Sequence, residues 1–543
     1  MGAVAGAAPP SLTVAWQREG TSMKKVELLD TTLRDGAQSE GISFSVRDKL
    51  AIVETLDGLG IPLIEAGNPG SNPKDLEFFR EVRHLRLTHA QLAAFGATRR
   101  PGVAVADDPQ VRSLLEAGTA VLVIFGKSWD FHVTDVLKTT TDENLNMIRD
   151  TLAYAKARAE RVVYDAEHFF DGYRANPAYA LATLDAAVEA GADVLCLCET
   201  NGGRFPEEVA EATQVVLERF GRRVAVGVHT HNDSGLAVAN SLAAVRAGAT
   251  HVQGTLAGFG ERCGNANLAT ILANLQLKAG YACITPAQLK GLVVATRRVA
   301  EIANITLPDD LPYVGAKAFT HKAGMHMDGV RKCSESFEHV PPESIGNARR
   351  FLMSEIAGRS AVLARIQRIA PAVQKTDKVV DEVVAQLKAL EQQGYQFEGA
   401  DGSFELLMRK ALGTYQPHFT LEHYQIISER PAKNQLEGAA AIVKICVEGH
   451  KEISAAEGDG PVNALDRGLR KALERFYPVL AEVRLTDYKV RVLEGNRATE
   501  AKVRVLIEST DGLSVWSTVG VSTDIIEASW FALVDSIEYK LSR

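Results

Sequence analysis

Two histidines separated by one residue, His229 and His231, are the side chains in this sequence that most directly suggest metal chemistry. On an extended strand, residues two apart point to the same side, so both imidazoles can approach one ion. A carboxylate, Asp35, and a side-chain amide, Asn265, lie in equally distinctive segments, Leu-Arg-Asp-Gly and Gly-Glu-Arg-Cys-Gly-Asn. Two nitrogens and two oxygens suit a divalent ion such as Mn, Mg, Zn or Co without selecting among them. The four residues predict a metal site if the fold brings them together.

The elements that must position these residues alternate regularly between Lys24 and about Tyr281. Short apolar runs alternate there with helical stretches such as Val46–Leu59, Thr141–Arg161 and Ser234–Ala247. The runs predict eight strands, at Val26–Asp30, Leu63–Ala66, Leu92–Ala97, Ala120–Phe125, Arg161–Glu167, Asp193–Glu199, Val224–His229 and His251–Thr255. Eight strand–helix units in about 250 residues match an α/β fold, the (β/α)8 TIM barrel. A doubly wound sheet has a similar rhythm, but no Gly-rich dinucleotide turn follows the first strand.

The barrel prediction explains how distant residues meet. Asp35 follows the first strand, the two histidines stand at the end of the seventh, and Asn265 follows the eighth. These strands become neighbours when the barrel closes, and barrel active sites lie at the C-terminal strand ends. An isolated His-x-His pair is often only a surface or core feature, but this combination favours metal ligation. Arg34 either forms a salt bridge at the barrel mouth or stabilises charge on a ketone oxygen, as oxyanion donors do.

Composition and charge narrow the class of protein. The chain has 543 residues and a formal net charge of -8, so it offers no basic stripe for nucleic-acid phosphates. Its six cysteines include no Cys-x-x-Cys pair, and a chain of this size does not need disulfides, which favours a cytoplasmic protein with reduced thiols. Since no apolar run reaches the ~18 residues of a membrane helix, we expect no membrane partner.

Four segments follow from the changes of pattern along the chain. Residues 1–23 predict a disordered N-terminal extension, because they are rich in Ala, Gly and Pro. Residues 24–290 contain the barrel, and residues 291–412 form a linker region with an irregular part at Leu307–Arg350 and helices from Met353 to Gln393. Residues 413–543 predict an α+β regulatory domain. It has two related strand-then-helix halves, with strands at His418–Ile427, Ala440–Val447, Tyr488–Leu493 and Thr499–Glu508 and helices at Val462–Tyr477 and Asp524–Lys540.

Two motifs make the sequence similar to the family of 2-isopropylmalate, homocitrate and citramalate synthases. Leu33–Gln38, with Lys49 downstream, resembles the first signature of this family, and Val226–Ala239 resembles the second. The resemblance extends over the barrel, the linker and the C-terminal domain. It implies an acyltransferase that uses a divalent metal and acetyl-CoA as co-substrate, and a homodimer built through the C-terminal domain.

The resemblance also implies roles for individual residues. Asp35, His229, His231 and Asn265 would bind the metal, and Arg34 would polarise the ketone of the acceptor. Thr200 and Gln38 would contact the substrate, and Glu167 would lie near the acetyl group. His326 would reach the barrel of the partner subunit and take part in acid–base chemistry. Without the resemblance, Glu167 could cap the barrel or pair with Arg34, Thr200 could bond the backbone, and His326 could be an ordinary linker residue.

Three segments resemble one branch of the family, the citramalate synthases: Tyr164–Tyr173, Gly346–Arg350 and Gly458–Leu465. This branch implies pyruvate as the acceptor, (R)-citramalate as the product and a place in isoleucine biosynthesis. The turn at Gly458–Gly460 is either a plain loop or part of a site for isoleucine or leucine as effector. The alternatives are a 2-isopropylmalate or homocitrate synthase, a hydroxymethylglutaryl-CoA lyase-like enzyme, and a non-enzymatic amino-acid sensor. The C-terminal domain disfavours the lyase, and the intact ligand set disfavours the sensor.

Overall fold

The computed structural model describes residues 23–321, 324–351, 359–429, 438–493, 501–512 and 514–543. The predicted N-terminal extension, apart from Met23, lies outside the described residues. Two compact units divide the chain. One runs to Phe319 and includes Glu338–Arg349, and the other comprises Thr320–Phe337 and Arg350–Arg543.

The first unit contains a closed, all-parallel barrel of eight strands in sequential order, which confirms the predicted fold. Its strands are β1 (Glu27–Asp30), β2 (Leu63–Glu65), β3 (Gln91–Ala97), β4 (Val121–Lys127), β5 (Arg161–Glu167), β6 (Val194–Glu199), β7 (Ala225–Thr230) and β8 (His251–Gly254). The strands are apolar and almost continuously buried, because helices cover their outer face and side chains fill the lumen.

Helices alternate with these strands and surround the barrel. They are α1 (Val46–Leu59), α2 (Pro73–Glu81), α3 (Pro109–Glu116), α4 (Thr141–Lys156), α5 (Phe169–Ala175), α6 (Pro177–Glu189), α7 (Pro206–Phe220), α8 (Ala237–Ala247), α9 (Leu268–Leu277), α10 (Pro286–Leu289) and α11 (Leu292–Ile302). Local signals set the ends of α1, since Ser45 and Asp48 form a capping box and Gly60 follows with a φ of 86°.

Two predicted helices of the barrel were too long. Helix α4 ends at Lys156, because Arg161 already belongs to β5. Helix α8 begins at Ala237, three residues later than predicted, because Gly235 adopts a φ of 72° in the preceding turn. The ends of an amphipathic pattern are its least certain part, since polar turn residues can continue the period.

An ion-pair network crosses the lumen at the N-terminal ends of the strands. Arg161, the first residue of β5, donates from Nη1 and Nη2 to the two carboxylate oxygens of Glu27 on β1, both at 2.6 Å. The Nδ1 atom of His251 on β8 lies 2.9 Å from Glu27 Oε2. Strands β1 and β5 stand on opposite sides of an eight-stranded barrel, so this network closes the end remote from the predicted site.

The second unit contains helices packed around their own apolar core, followed by two sheets. Its first elements are β9 (Thr320–His321), α12 (Gly324–Lys332), β10 (Arg350–Phe351), α13 (Arg359–Ile369), α14 (Lys378–Gln392) and α15 (Asp401–Ala411). Helix α12 interrupts the stretch predicted to be irregular, so that prediction was wrong there. Part of the helical segment predicted from Met353 lies outside the described residues.

The C-terminal part has the two predicted strand-then-helix halves, each with a three-stranded antiparallel sheet. The first half contains β11 (Thr420–Glu429), β12 (Gly438–Val447), β13 (His450–Gly458) and α16 (Pro461–Leu473). The second contains β14 (Arg484–Val492), β15 (Val503–Thr510), β16 (Val515–Ser522) and α17 (Ile525–Leu541). The sequence prediction missed β13 and β16, which are rich in polar and small residues. No helix among the described residues is long and apolar enough to cross a membrane.

Candidate active site

The predicted metal ligands Asp35, His229 and His231 meet at the C-terminal end of the barrel. Asp35 Oδ2 lies 3.1 Å from His229 Nε2 and 4.0 Å from His231 Nε2. The two Nε2 atoms are 3.3 Å apart, and all three side chains are buried. These three atoms all lie within 4.8 Å of one another, close enough for one metal ion to contact them all.

Asn265, the fourth predicted ligand, lies in the loop after β8. An isolated bridge pairs its backbone with that of His231, so the residue is held next to the histidines. Its Nδ2 donates to the carbonyl of Phe259 at 3.0 Å, whereas its buried Oδ1 has no hydrogen-bond partner among the described residues. A buried amide oxygen without a partner is costly. The residues therefore fit a divalent cation, which would use this oxygen as a ligand.

The electrostatics of the cluster differ from ligand to ligand. Burial alone would raise the pKa of Asp35, but the Arg34 charge and His229 outweigh it and hold that pKa well below its usual range. Burial opposes protonation of His229, but Asp35 raises the pKa of that imidazole. Burial and the neighbouring His229 lower the pKa of His231 to about 3. An ionised carboxylate and a neutral imidazole are the forms that bind metals.

Arg34 stands beside the cluster in a fixed orientation. Its Nε donates to Glu65 Oε1 at 2.5 Å, and its Nη1 lies 3.2 Å from Asp35 Oδ2. The guanidinium also stacks over the Phe95 ring, 3.8 Å from the centroid. Burial raises the pKa of Glu65 to about 7, although the Arg34 charge acts in the opposite direction. Arg34 is thus both ion-paired and directed into the site, so the two alternatives for it do not exclude each other.

A cavity of about 230 Å³ opens above the cluster. Arg34 and Asp35 line it together with Gln38, Phe95, Phe125, Asp165, Glu167, Cys198, Thr200, His229, His231, Glu261 and Arg262. The Phe95 and Phe125 rings stack with centroids 5.1 Å apart and form an apolar wall. A second cavity of about 260 Å³ shares Arg34, Gln38 and Phe95 with the first. The arrangement offers one small polar chamber and an adjoining space.

Glu167 and Thr200 both line the chamber, from the ends of β5 and β6. The Glu167 carboxylate pairs with the ammonium of Lys127 at the end of β4, and not with Arg34. The Thr200 hydroxyl accepts a hydrogen bond from the backbone N–H of His168 at 3.0 Å, which leaves its own proton available. Thr200 therefore makes the backbone contact that the sequence analysis gave as an alternative, and it also lines the cavity.

His326 belongs to the second unit. It is exposed on α12, and its ring stacks on Phe337 with centroids 4.2 Å apart. Its predicted role in a partner's barrel stays a prediction.

Three residues near the chamber, Glu65, Lys127 and Arg262, had no role predicted from the sequence, although Arg262 lies in the distinctive segment after β8. Arg262 has a φ of 55° and donates to both carboxylate oxygens of Asp233, at 2.7 and 2.9 Å. Its Nη2 also donates to the Thr200 carbonyl at 2.8 Å. Glu65 and Lys127 stand at strand ends, and that position was the available signal. Their partners lie on other strands, however, so the pairs could not be derived from spacing.

Comparisons with known proteins give a consistent family. Residues 25–299 match the HMGL-like family model, residues 313–395 the homocitrate synthase post-HMGL domain-like model, and residues 398–541 the LeuA allosteric (dimerisation) domain. The (R)-citramalate synthase of Synechocystis is 51% identical over 530 residues, covering 96% of this chain and 97% of the relative. That of Aquifex aeolicus is 50% identical over 520 residues, covering 96% and 98%. A 2-isopropylmalate synthase of Halalkalibacterium halodurans is 29% identical over 525 residues, covering 96% and 98%.

Proposed function

This chain belongs to the citramalate synthase branch of the 2-isopropylmalate, homocitrate and citramalate synthase family, and we propose that it condenses acetyl-CoA with pyruvate to (R)-citramalate. The observation that carries the proposal is the chamber over Asp35, His229 and His231 in a chain about half identical to (R)-citramalate synthases along almost its whole length. The more distant 2-isopropylmalate synthase and the lyase alternative are less favoured, because the C-terminal dimerisation domain is present and the identity is higher in the citramalate branch.

The acceptor keto acid would bind over the metal ligands. A divalent ion held by Asp35, His229, His231 and Asn265 would supply Lewis-acid polarisation of the ketone. The Arg34 guanidinium, fixed by Glu65, would donate to the same oxygen as negative charge develops on it. The Thr200 hydroxyl would donate a hydrogen bond to the carboxylate of the keto acid. Gln38, which lines both cavities, would also contact the substrate.

Glu167 would accept a proton from the methyl group of acetyl-CoA. It lines the chamber, and its ion pair with Lys127 holds the carboxylate in place there. The carbanion formed at that methyl attacks the ketone carbon of pyruvate, and a new carbon–carbon bond results. The alkoxide takes up a proton, and water then cleaves the carbon–sulfur bond of the thioester. Each turnover thus consumes one water and releases citramalate and the CoA thiol.

The small chamber supports pyruvate over larger keto acids. Its volume is about 230 Å³, and the stacked rings of Phe95 and Phe125 form one of its walls. The adjoining cavity of about 260 Å³ gives the acetyl thioester a route to the shared residue Arg34. Apolar contacts alone discriminate one methylene by only about 1–3 kcal/mol. The proposed selectivity therefore depends on the aromatic wall excluding larger acceptors by its volume.

The second unit supports a dimer with allosteric regulation, because its C-terminal part matches the LeuA allosteric (dimerisation) domain. We include isoleucine or leucine as the effector, and His326 as an acid–base group supplied to the partner's barrel. We also include a place in isoleucine biosynthesis and a cytoplasmic location, the latter favoured by a chain with six cysteines and no Cys-x-x-Cys pair.

Release of CoA thiol from acetyl-CoA tests the function directly. The purified full chain, with Mn²⁺ or Mg²⁺, is assayed separately with pyruvate, 2-oxoisovalerate and 2-oxoglutarate. We expect turnover to be selective for pyruvate, with (R)-citramalate identified by chiral chromatography. Preference for either larger acid would overturn the branch assignment but keep the condensation chemistry. Cleavage of hydroxymethylglutaryl-CoA without any condensation would overturn the proposal.

A further inference from the structure

A buried hydrogen-bonded chain runs from His229 into the barrel lumen. His229 Nδ1 lies 2.9 Å from Oε1 of Gln253 on β8, and Gln253 Nε2 donates to Oδ1 of Asp165 on β5 at 2.8 Å. Gln253 is fully buried, and Asp165 is 3% exposed. A buried amide must find partners for both its oxygen and its nitrogen, and here these two contacts provide them.

The donor and acceptor roles in this chain are determined by chemistry. A carboxyl oxygen accepts, so Asp165 directs the NH₂ group of Gln253 toward itself and turns the amide oxygen toward His229. An amide oxygen only accepts, so His229 Nδ1 must carry the proton. The lone pair of the neutral ring then lies on Nε2, the atom 3.1 Å from Asp35 Oδ2 and 3.3 Å from His231 Nε2.

The direction of the chain depends on Asp165 Oδ1 acting as an acceptor. Burial raises the pKa of Asp165, although His229 and Arg34 act against it. A carboxyl group protonated on its other oxygen still accepts at Oδ1, so Gln253 keeps its orientation as long as Oδ1 carries no proton. The thiols of Cys196 and Cys198 lie within 4.8 Å of the Asp165 carboxylate.

His231 lacks this arrangement. Its Nδ1 faces the Arg262 guanidinium, a donor, at 3.4 Å, and no acceptor among the described side chains bonds it. The two imidazoles of the cluster are therefore controlled differently. Gln253 in the barrel lumen selects the tautomer of His229, whereas Arg262 in the loop after β8 contacts His231.

We propose that Gln253, oriented by Asp165, is a positioning residue that fixes His229 in the tautomer with its Nε2 lone pair directed at the metal. This inference rests on the metal site of the proposed function. It adds two buried residues that act through His229, of which Gln253 lies behind the chamber and Asp165 also lines it. Partners of metal-binding histidines typically contribute about 10–100-fold to metal affinity.

Three variants distinguish tautomer selection from packing. Gln253→Met keeps the length of the side chain but removes the acceptor, so we expect Mn²⁺ affinity to fall by about 10–100-fold. The double variant Gln253→Glu with Asp165→Asn restores an acceptor for His229 and a donor for the new carboxylate. We expect it to bind Mn²⁺ within about threefold of wild type. The control Gln276→Met removes a comparable glutamine, bonded to Ile284 N–H at 3.2 Å, and should leave Mn²⁺ affinity unchanged.

Mn²⁺ affinity is measured by electron paramagnetic resonance of the free ion, on variants whose thermal midpoints show that they are folded. Wild-type Mn²⁺ affinity in Gln253→Met overturns the inference. Weaker Mn²⁺ binding by the double variant than by Gln253→Met also overturns it, because a packing role predicts that order. If Gln253→Met does not fold, Asp165→Ala replaces it, since it frees the amide to rotate. Wild-type affinity in that variant also overturns the inference.

Asp35→Ala, measured in the same way, tests the metal site separately from the positioning role of Gln253. Failure of the wild type to bind Mn²⁺, or unchanged affinity in Asp35→Ala, would reject the metal site itself. Loss of affinity in Asp35→Ala together with full affinity in Gln253→Met would reject only the positioning role.

Discussion

Arg34 Nε donates to Glu65 Oε1 at 2.5 Å, and this contact joins β2 to the loop that follows β1. The guanidinium is planar and has donors in a fixed fork, so one edge can bond Glu65 while the opposite nitrogens face Asp35 and the cavity. A cation that lines the cavity is thus held without rotamer freedom. This pre-organisation is what a donor to a developing oxyanion requires.

Replacement of this guanidinium should impair catalysis more than folding. We expect Arg34→Lys to lower kcat by about 10²–10³, because a compact ammonium lacks the planar fork that spans the positions of Glu65 and the substrate oxygen. The measurement is steady-state CoA release with saturating acetyl-CoA and metal. Arg80→Lys, on an exposed face of α2, is the matched control and should retain wild-type kcat. Equal rates for the two variants would remove Arg34 from the mechanism.

Substitutions of Glu167 and of Lys127 should lower kcat by different amounts. We expect Glu167→Gln to lower kcat by about 10²–10⁴ with little change in KM for pyruvate. The substitution removes the proposed base but leaves the proposed contacts to pyruvate in place. Lys127→Met should lower kcat by less, since the carboxylate remains but loses its ion pair. Exchange of deuterium from solvent into the acetyl methyl measures the proton-transfer step. Undiminished exchange in Glu167→Gln would assign that step to another residue.

The role proposed for His326 can be tested by mixing inactive subunits. His326→Ala and Asp35→Ala should each be nearly inactive as pure dimers. If His326 acts in the partner's barrel, subunits exchanged between the two variants should recover up to about a quarter of wild-type activity, because half the dimers are mixed and each has one complete site. His339→Ala in place of His326→Ala is the control. Failure to recover activity, with subunit exchange verified by native mass spectrometry, would place His326 outside the partner's site.

The network around Glu27 should make stability depend on pH in the acid range. Burial favours the neutral acid, but His251 and Arg161 outweigh it and lower the pKa of Glu27 from 4.5 to about 2. A folded-state pKa below the unfolded value stabilises the fold above pH 4.5, and this stabilisation is lost as the pH falls toward 2. Glu27→Gln should therefore lower the free energy of unfolding at pH 7, and its difference from wild type should shrink at pH 3.

Urea unfolding at pH 7, 5 and 3 measures that difference. Glu54→Gln, at an exposed position of α1, is the control and should follow wild type at all three values. A destabilisation by Glu27→Gln that grows as the pH falls would contradict the assigned sign.

The barrel could be predicted because its signals are local. Helix α1 was predicted with its observed ends, since Ser45, Asp48 and Gly60 mark them within the sequence. Strand β13 was missed because its side chains are mostly exposed and only Ser454 is buried, so it has no clear apolar alternation. Its place is set by pairing with β12, a contact that leaves little mark on its own composition.

The candidate ligand types, the strand ends that present them and the family could all be predicted from the sequence alone. His229 and His231 share one face of a strand by its period of two, and the order of strands placed Asp35 and Asn265 beside them. Only the tertiary structure decided which residues orient these ligands. Gln253 and Asp165 have no motif, because a hydrogen bond across a barrel lumen joins side chains 88 positions apart. Its geometry depends on barrel closure, and spacing along the chain carries no trace of it.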